Sequence, residues 1–348
     1  MDFNVHDSSG VWIGIVEQPT SAIWARRYYT PNDFELYFPV SDEALALITD
    51  DCYITREDRP EVMIVEHIEI ITSKEDGNYL CITGRGGEGL LARRIVWEQT
   101  TVSGRVDAAV YRLIDENAIN PANPQRKLPL IMNAPNVSSE TVRAQYTGTN
   151  LLGAVQESCK AHGLGFRAVT DDHAFVAPRL ELFAGLDRSE GQTENSPVIF
   201  SAEYENLLSS SYILDTAEYK NVAAVAGEGE GKARKRATYG SATGLQRREL
   251  FVDARDLSTN EGEISADDYT AQLTARGAEN IAENPITENF DGEIDTSNFV
   301  LDEDYTLGDI VTIENEYGIR KNVRIVAIIE CWDENGYTAI PTYENVEV

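Results

Sequence analysis

Gly227, Gly229 and Gly231, with Lys232 and Arg234 close behind them, are the residues whose types and spacing come nearest to a chemical site. In a nucleotide site such glycines let backbone N–H groups close around a phosphate, while a lysine or arginine supplies charge. That chemistry has two further requirements. The loop must follow a buried strand and open a helix, and its lysine must precede a Ser or Thr whose hydroxyl reaches magnesium. Here Lys232 precedes Ala233, and the chain runs on through KARKRATYG to RRELFVDA, rich in turn residues and β-formers and without apolar residues three and four apart. Val222, Ala224 and Ala226 alternate ahead of the glycines, as in a half-buried strand. The segment is therefore expected to be a hairpin whose glycine tip is a contact loop that binds no cofactor.

Other chemistry is thinner still. His6, His67, His162 and His173 are too scattered for a triad or a zinc site. Cys159 and His162 lie three apart on one face of a predicted helix, but two ligands are not a site, and they read as a buried thiol and a histidine near a helix end. Cys52, Cys81, Cys159 and Cys331 are far apart, as reduced and mostly buried thiols would be. Asp171 with Asp172, or Asp302 with Asp304, would serve as a glycosidase pair, yet carboxylates are so abundant here that solvated faces explain them. There is no HExxH, GxSxG or DxDxDG run. No catalytic, cofactor or metal residue is expected. The adjacent arginines Arg26–Arg27, Arg93–Arg94 and Arg247–Arg248 are natural partners for carboxylates across a subunit boundary, with pairing inside the chain as the alternative.

The elements that must position these residues change in character along the chain. In the first hundred residues VWIGIVEQ, SAIWARRYY and DFELYFPV read as strands of a meander. Ser41 caps a short helix, DEALALI, whose Asp42 and Glu43 suit the positive end of its dipole. VMIVEHIEIIT and NYLCITGR form a long hairpin around Asp76 and Gly77, and GLLARRIV reads as a second short helix with Leu91 and Ile95 on one face. From about residue 103 the period becomes helical. Val106, Val110 and Leu113 or Ile114 make one stripe before Pro121, and Leu151 or Leu152, Val155 and Cys159 make another that Gly163 caps. FRAVTDDHAFVAP then reads as a hairpin. The last third returns to strands, interrupted by a helix with Ser265 and Asp268 as a capping box and Tyr269, Leu273 and Ile281 as its stripe. Turns at Tyr317–Gly318 and Asn335–Gly336 join its final strands. The fold class is mainly β with an α+β insertion, divided at 1–102, 103–200 and 201–348.

Acidic residues number 59 against 29 basic ones, a formal net charge of −30, which argues against a non-specific grip on nucleic acid. Such a charge either keeps the chain soluble or, around a passage, keeps a polyanion from sticking to the wall. No run approaches the roughly 18 apolar residues that span a bilayer, and MDFNVHDSSG lacks the order of a signal peptide, so assembly in the cytoplasm without membrane insertion is expected.

Several segments carry a resemblance: VAGEGEGKARKR, RRELFVDARD, RRYYTPNDFELYFPV and TGRGGEGLLARRIVW. Together they resemble the family of siphovirus tail-hub proteins, which is similar to the baseplate hubs of contractile phage tails. The resemblance implies a non-enzymatic homotrimeric ring at the tail tip or baseplate, assembled in the bacterial host. Each subunit would carry two tail-tube-like β-barrels, in its first and last thirds, around a small α+β domain. Three subunits then offer six tube-like elements to the tail tube above and threefold symmetry to the spike or fibre below. Distal tail and tape measure proteins are further implied partners, and DNA passes through without specific binding. Arg93, Arg94, Arg247 and Arg248 would lie at subunit boundaries. The rivals are a tail-associated cell-wall hydrolase and a carbohydrate-binding β protein.

Overall fold

In the strand Asp33–Pro39 the residues Phe34, Leu36 and Phe38 all turn into a core, the period of two that a half-buried strand imposes. The same logic, repeated, makes strand the dominant element. The computed structural model describes residues 2–73, 77–170, 175–259, 264–295, 299–334 and 336–346, with 43% strand against 20% helix. The mainly β class with an α+β insertion is what the chain adopts. It divides into two compact units: unit 1, Met1–Ser210 with Asp291–Val348, and unit 2, Ser211–Phe290.

Unit 1 is built on an eleven-stranded sheet. The strands Trp12–Glu17, Asp2–His6, Tyr53–Thr55, Val62–Ser73, Gly77–Gly86, Asp33–Pro39 and Ser21–Arg27 pair in that order, all antiparallel. Ser21–Arg27 then pairs with Arg320–Asp333 from the far end of the chain, Ala327 opposite Arg27 and Trp332 opposite Ala22. Earlier along that long strand, Arg320–Arg324 faces Ile310–Glu314 instead. Its other side pairs with Gly336–Asn345. The strands of the first and last thirds thus share one sheet through Arg320–Asp333. Among the described residues the strand order is an open path from Ile199–Ser201 to Trp12–Glu17, where two separate closed barrels are expected.

One face of the sheet buries Phe3, Trp24, Phe34, Leu36, Phe38, Ile54 and Met63 against α1, Asp42–Leu47, whose cap Ser41 accepts from the N–H of Ala44 at 3.1 Å. A second core gathers α2, Val106–Ile114, and α3, Leu151–Ala161, on the small sheet of Gly165–Val169, Arg179–Phe183 and Ile131–Met132. Val106, Val110, Leu113, Val155 and Cys159 are buried there as their stripes predict. Asn150 caps α3, and Gly163 follows its last turn with φ +62°. Glu88 lies wholly inside unit 1. Its Oε1 accepts from the N–H of Asn32 at 2.7 Å and its Oε2 from that of Ala168 at 2.9 Å, tying the large sheet to the small one, and burial pushes its carboxyl up to about 7.

Several expectations are corrected. GLLARRIV is a 3-10 helix, Gly87–Arg93, which ends before Ile95; that side chain sits in extended backbone and is 38% exposed, because the tighter helix turns it off the Leu91 face. The helix α2 runs on into a π turn, Asp115–Ile119, so the helical stretch ends just ahead of Pro121 as expected. The strands Asp2–His6 and Tyr53–Thr55 are short and were not expected. FRAVTDDHAFVAP does turn back, but its return strand begins at Arg179. Asp76, Asp171, Asp172, His173 and Asn335 lie outside the described residues.

Unit 2 is a three-stranded sheet under one helix. Val222–Ala226 is central, antiparallel to Arg236–Tyr239 and parallel to Glu249–Asp253. The helix α4, Ala266–Ala282, covers one face with Tyr269 and Leu273 against Ala223, Val225 and Val252. Ser265 caps it as expected, accepting from the N–H of Asp268 at 3.1 Å while its own hydroxyl donates to Oδ2 of Asp268 at 2.7 Å. The phase of the central strand differs from expectation: Ala224 is the exposed position, and Ala223 and Val225 face the helix. Small side chains allow this, because an added Cβ at Gly277 would stand only 2.9 Å from Val225.

Candidate functional site

The glycine segment is a hairpin. Gly227 donates its N–H to the carbonyl of Lys235 at 2.9 Å, Lys235 to Glu228 at 3.0 Å, and Ala233 to Glu230 at 3.0 Å. Gly229 and Gly231 have φ of +98° and +53°, the left-handed backbone that favours glycine. Beneath the tip, the Tyr269 hydroxyl accepts from the N–H of Glu228 at 2.8 Å and donates to the carbonyl of Leu257 at 3.0 Å. Gly227 must be a glycine there, since a Cβ would fall 2.2 Å from that hydroxyl. The Glu228 carboxylate accepts from the N–H and hydroxyl of Thr259, at 3.0 and 2.8 Å, which hold it below the usual carboxylate range.

The cations of the segment have different duties. Arg234 donates to the carbonyls of Gly227 and Ala226, at 2.8 and 2.6 Å, pairs with Asp253 and lies over the Phe251 ring, so it closes the base of the loop. Lys232 is exposed at the tip. Four of the loop's N–H groups are already spent, and the chain after Gly231 leads to the strand Arg236–Tyr239 rather than a helix. What the tip presents to a neighbour is Lys232 on a stiff turn.

The paired arginines split likewise. Arg93 binds Asp51 at 2.6 Å and Glu66 at 3.3 Å, and Arg247 binds Glu249 at 2.6 Å. Arg248 donates to the carbonyl and hydroxyl of Thr216 and lies over Tyr219. Among the described residues Arg94 has only carbonyl partners, Arg126 at 2.6 Å and Arg93 at 2.8 Å the nearest. Cys159 is fully buried, which pushes its thiol up to about 12, and Nδ1 of His162 meets the carbonyl of Ser158. No group of three or more His, Cys, Asp or Glu able to hold a metal exists among the described residues. Asp302 and Asp304 serve different masters: Asp304 accepts from the N–H of Val300, whereas Asp302 enters a buried ion network.

That network is the feature the sequence conceals. Arg26 holds Asp302 through two bonds of 2.9 and 3.0 Å, and Arg59 reaches both Asp302 and Glu330 at 3.0 Å. Arg56 stands 3.5 Å from Glu330, over the rings of Trp24 and Trp332. The Tyr337 hydroxyl donates to Glu330 at 3.0 Å. Three arginines on two carboxylates, with Glu330 fully buried, clamp the strands of the first third to those of the last. Bidentate geometry holds position; it offers no reacting group.

A sheet that runs through both ends of the chain, with an α+β part beside it, is the fold of phage tail proteins. It matches the tail protein from Neisseria meningitidis MC58 (TM-score 0.55, 13% identity, covering 98% of this chain and 96% of that one). It also matches the 43 kDa tail protein of prophage MuSo2 from Shewanella oneidensis (0.56, 13%, 99% and 98%). Prophage tail protein gp18 from Listeria monocytogenes EGD-e is similar as well (0.54, 14%, 100% and 96%). The chain belongs to the family of Siphovirus ReqiPepy6 Gp37-like proteins, siphovirus tail proteins whose family model matches residues 2–343. No curated protein matches it in sequence. No helix among the described residues is long and apolar enough to cross a membrane.

Proposed function

We propose that this chain is the tail hub: a homotrimeric, non-enzymatic ring at the tail tip or baseplate that joins the tail tube to the spike or fibre and lets DNA pass. The observation that carries the reading is family membership along nearly the whole chain, joined to a fold shared end to end with prophage tail proteins. In a ring, the strands of residues 1–102 and 201–348 that share one sheet would together supply the tube-like surface of each subunit, with 103–200 as the α+β part beside it. The distal tail and tape measure proteins would be neighbours, and assembly would take place in the host cytoplasm. The glycine loop with Lys232 serves as a contact loop, and Arg248, whose side chain binds no carboxylate among the described residues, joins Arg93 and Arg247 at the boundaries. Repulsion between a −30 subunit and DNA keeps the passage from becoming a binding site.

The test is the mass of the purified chain, alone and mixed with its tail-tube protein, together with a cell-wall degradation assay. A trimer that binds the tube protein and leaves cell wall intact is expected. Release of soluble cell-wall fragments by the purified chain would turn the reading to the hydrolase.

A further inference from the structure

A cleft of about 910 Å³ opens in unit 1 where the 3-10 helix Gly87–Arg93 ends, beside the π turn Asp115–Ile119 and the segment 120–126. Arg94, Arg126 and Trp97 line it, and the indole is 62% exposed. The Arg94 guanidinium donates to the carbonyls of Arg126 and Arg93; Arg126 donates to the carbonyl of Ile95 at 2.6 Å and lies 5.3 Å over the Trp97 ring. Carbonyls satisfy N–H groups but leave the charge standing.

Neither guanidinium has a carboxylate within ion-pair distance among the described residues, although the neighbouring Arg93 has two. Of the two glutamates in the wall, Glu116 is held by Arg112 at 2.7 Å and Glu98 pairs with neither arginine. In a chain with twice as many acids as bases, two adjacent guanidiniums left without one are the exception to explain. Burial and the repulsion of Arg126 and Arg93 lower the pKa of Arg94, so an incoming anion relieves a standing strain between like charges. The fork of each guanidinium suits a planar carboxylate. Arg126 lies over one face of the indole and leaves the rest of the exposed ring for an apolar side chain. The wall amides offer partners for a peptide backbone beyond their own bonds, Asn120 to Asp115 and Asn123 from the N–H of Gln125.

We propose that this cleft docks a carboxylate-bearing peptide segment of a partner protein, its acidic side chains on Arg94 and Arg126 and an apolar side chain against Trp97. The proposal stands on the cleft alone and does not need the ring. The test titrates the full chain into a labelled, end-blocked peptide of alternating glutamate and leucine, followed by fluorescence polarisation. Saturable binding is expected, weakened about tenfold or more when glutamine replaces glutamate or in the Arg94→Gln/Arg126→Gln variant. Arg126→Lys should retain most of it. Because Arg94 also fastens two carbonyls, Arg126→Gln alone, with unchanged thermal unfolding, separates lost binding from lost folding. No saturation up to about 1 mM overturns the proposal, as does equal binding of the glutamine peptide. Tighter binding of an oligogalacturonate would assign the cleft to a glycan, and self-association abolished by the same variants would assign it to a second copy; either result also overturns it.

Discussion

Tyr269 fastens the glycine loop with a single hydroxyl, and among the described residues no other acceptor meets the N–H of Glu228. Tyr269→Phe should therefore cost about 1–3 kcal/mol, the usual penalty for buried groups left without partners. Gly227→Ala should cost at least as much by driving a methyl into the same hydroxyl. Urea unfolding followed by a probe in unit 2 checks both, and losses under about 0.5 kcal/mol would contradict the tether. Glu88 gives a pH signature. Its folded carboxyl titrates near 7 against an ordinary 4.5, so its contribution is fully present below about 4.5 and is lost as pH rises through about 7. The loss is on the order of 3 kcal/mol. Urea midpoints measured from pH 4 to 8 should fall more steeply in the native chain than in Glu88→Gln; parallel curves would refute the assignment. Neither role was legible in the sequence, where Tyr269 reads only as part of the α4 stripe. Glu88 sits in GGEGLL like any surface glutamate, and only the fold brings Asn32 and Ala168 to it.

The elements were more legible, because capping and periodicity are local. Ser41, Ser265, the α2 and α3 stripes and the Tyr317–Gly318 turn are written within a few residues of where they act. Ser265→Ala should destabilise α4 by about 1 kcal/mol, seen as faster amide exchange in its first turn; unchanged exchange there would mean the cap is idle. What failed was phase and pitch. Alanine and valine are tolerated on either face, so Val222–Ala226 carried no signal of which side meets the helix, and no local propensity separates the 3-10 pitch of Gly87–Arg93 from an α-helix. Arg126 and Trp97 were missed for a similar reason: 29 residues of chain separate them, and the cleft exists only after the π turn closes.

At the scale of the whole chain, the decisive contacts are the least local. Arg26 and Asp302 are 276 residues apart, yet they and Glu330 hold the two ends of unit 1 in one sheet. Removing one partner from a buried ion cluster strands the others, so Glu330→Ala should cost about 3–5 kcal/mol. Both ends should then be lost in one transition by hydrogen exchange; independent loss of one end would show that the clamp is not shared. Composition spoke of the whole molecule only through its charge, and the resemblance of a few segments named the family that the full-length match establishes. The central claim, a threefold hub, is tested most directly by electron cryo-microscopy of the assembled tail, without imposed symmetry. The account predicts three copies of this chain around the axis, with acidic side chains facing the bore. Six copies, or copies set off the axis, would contradict it.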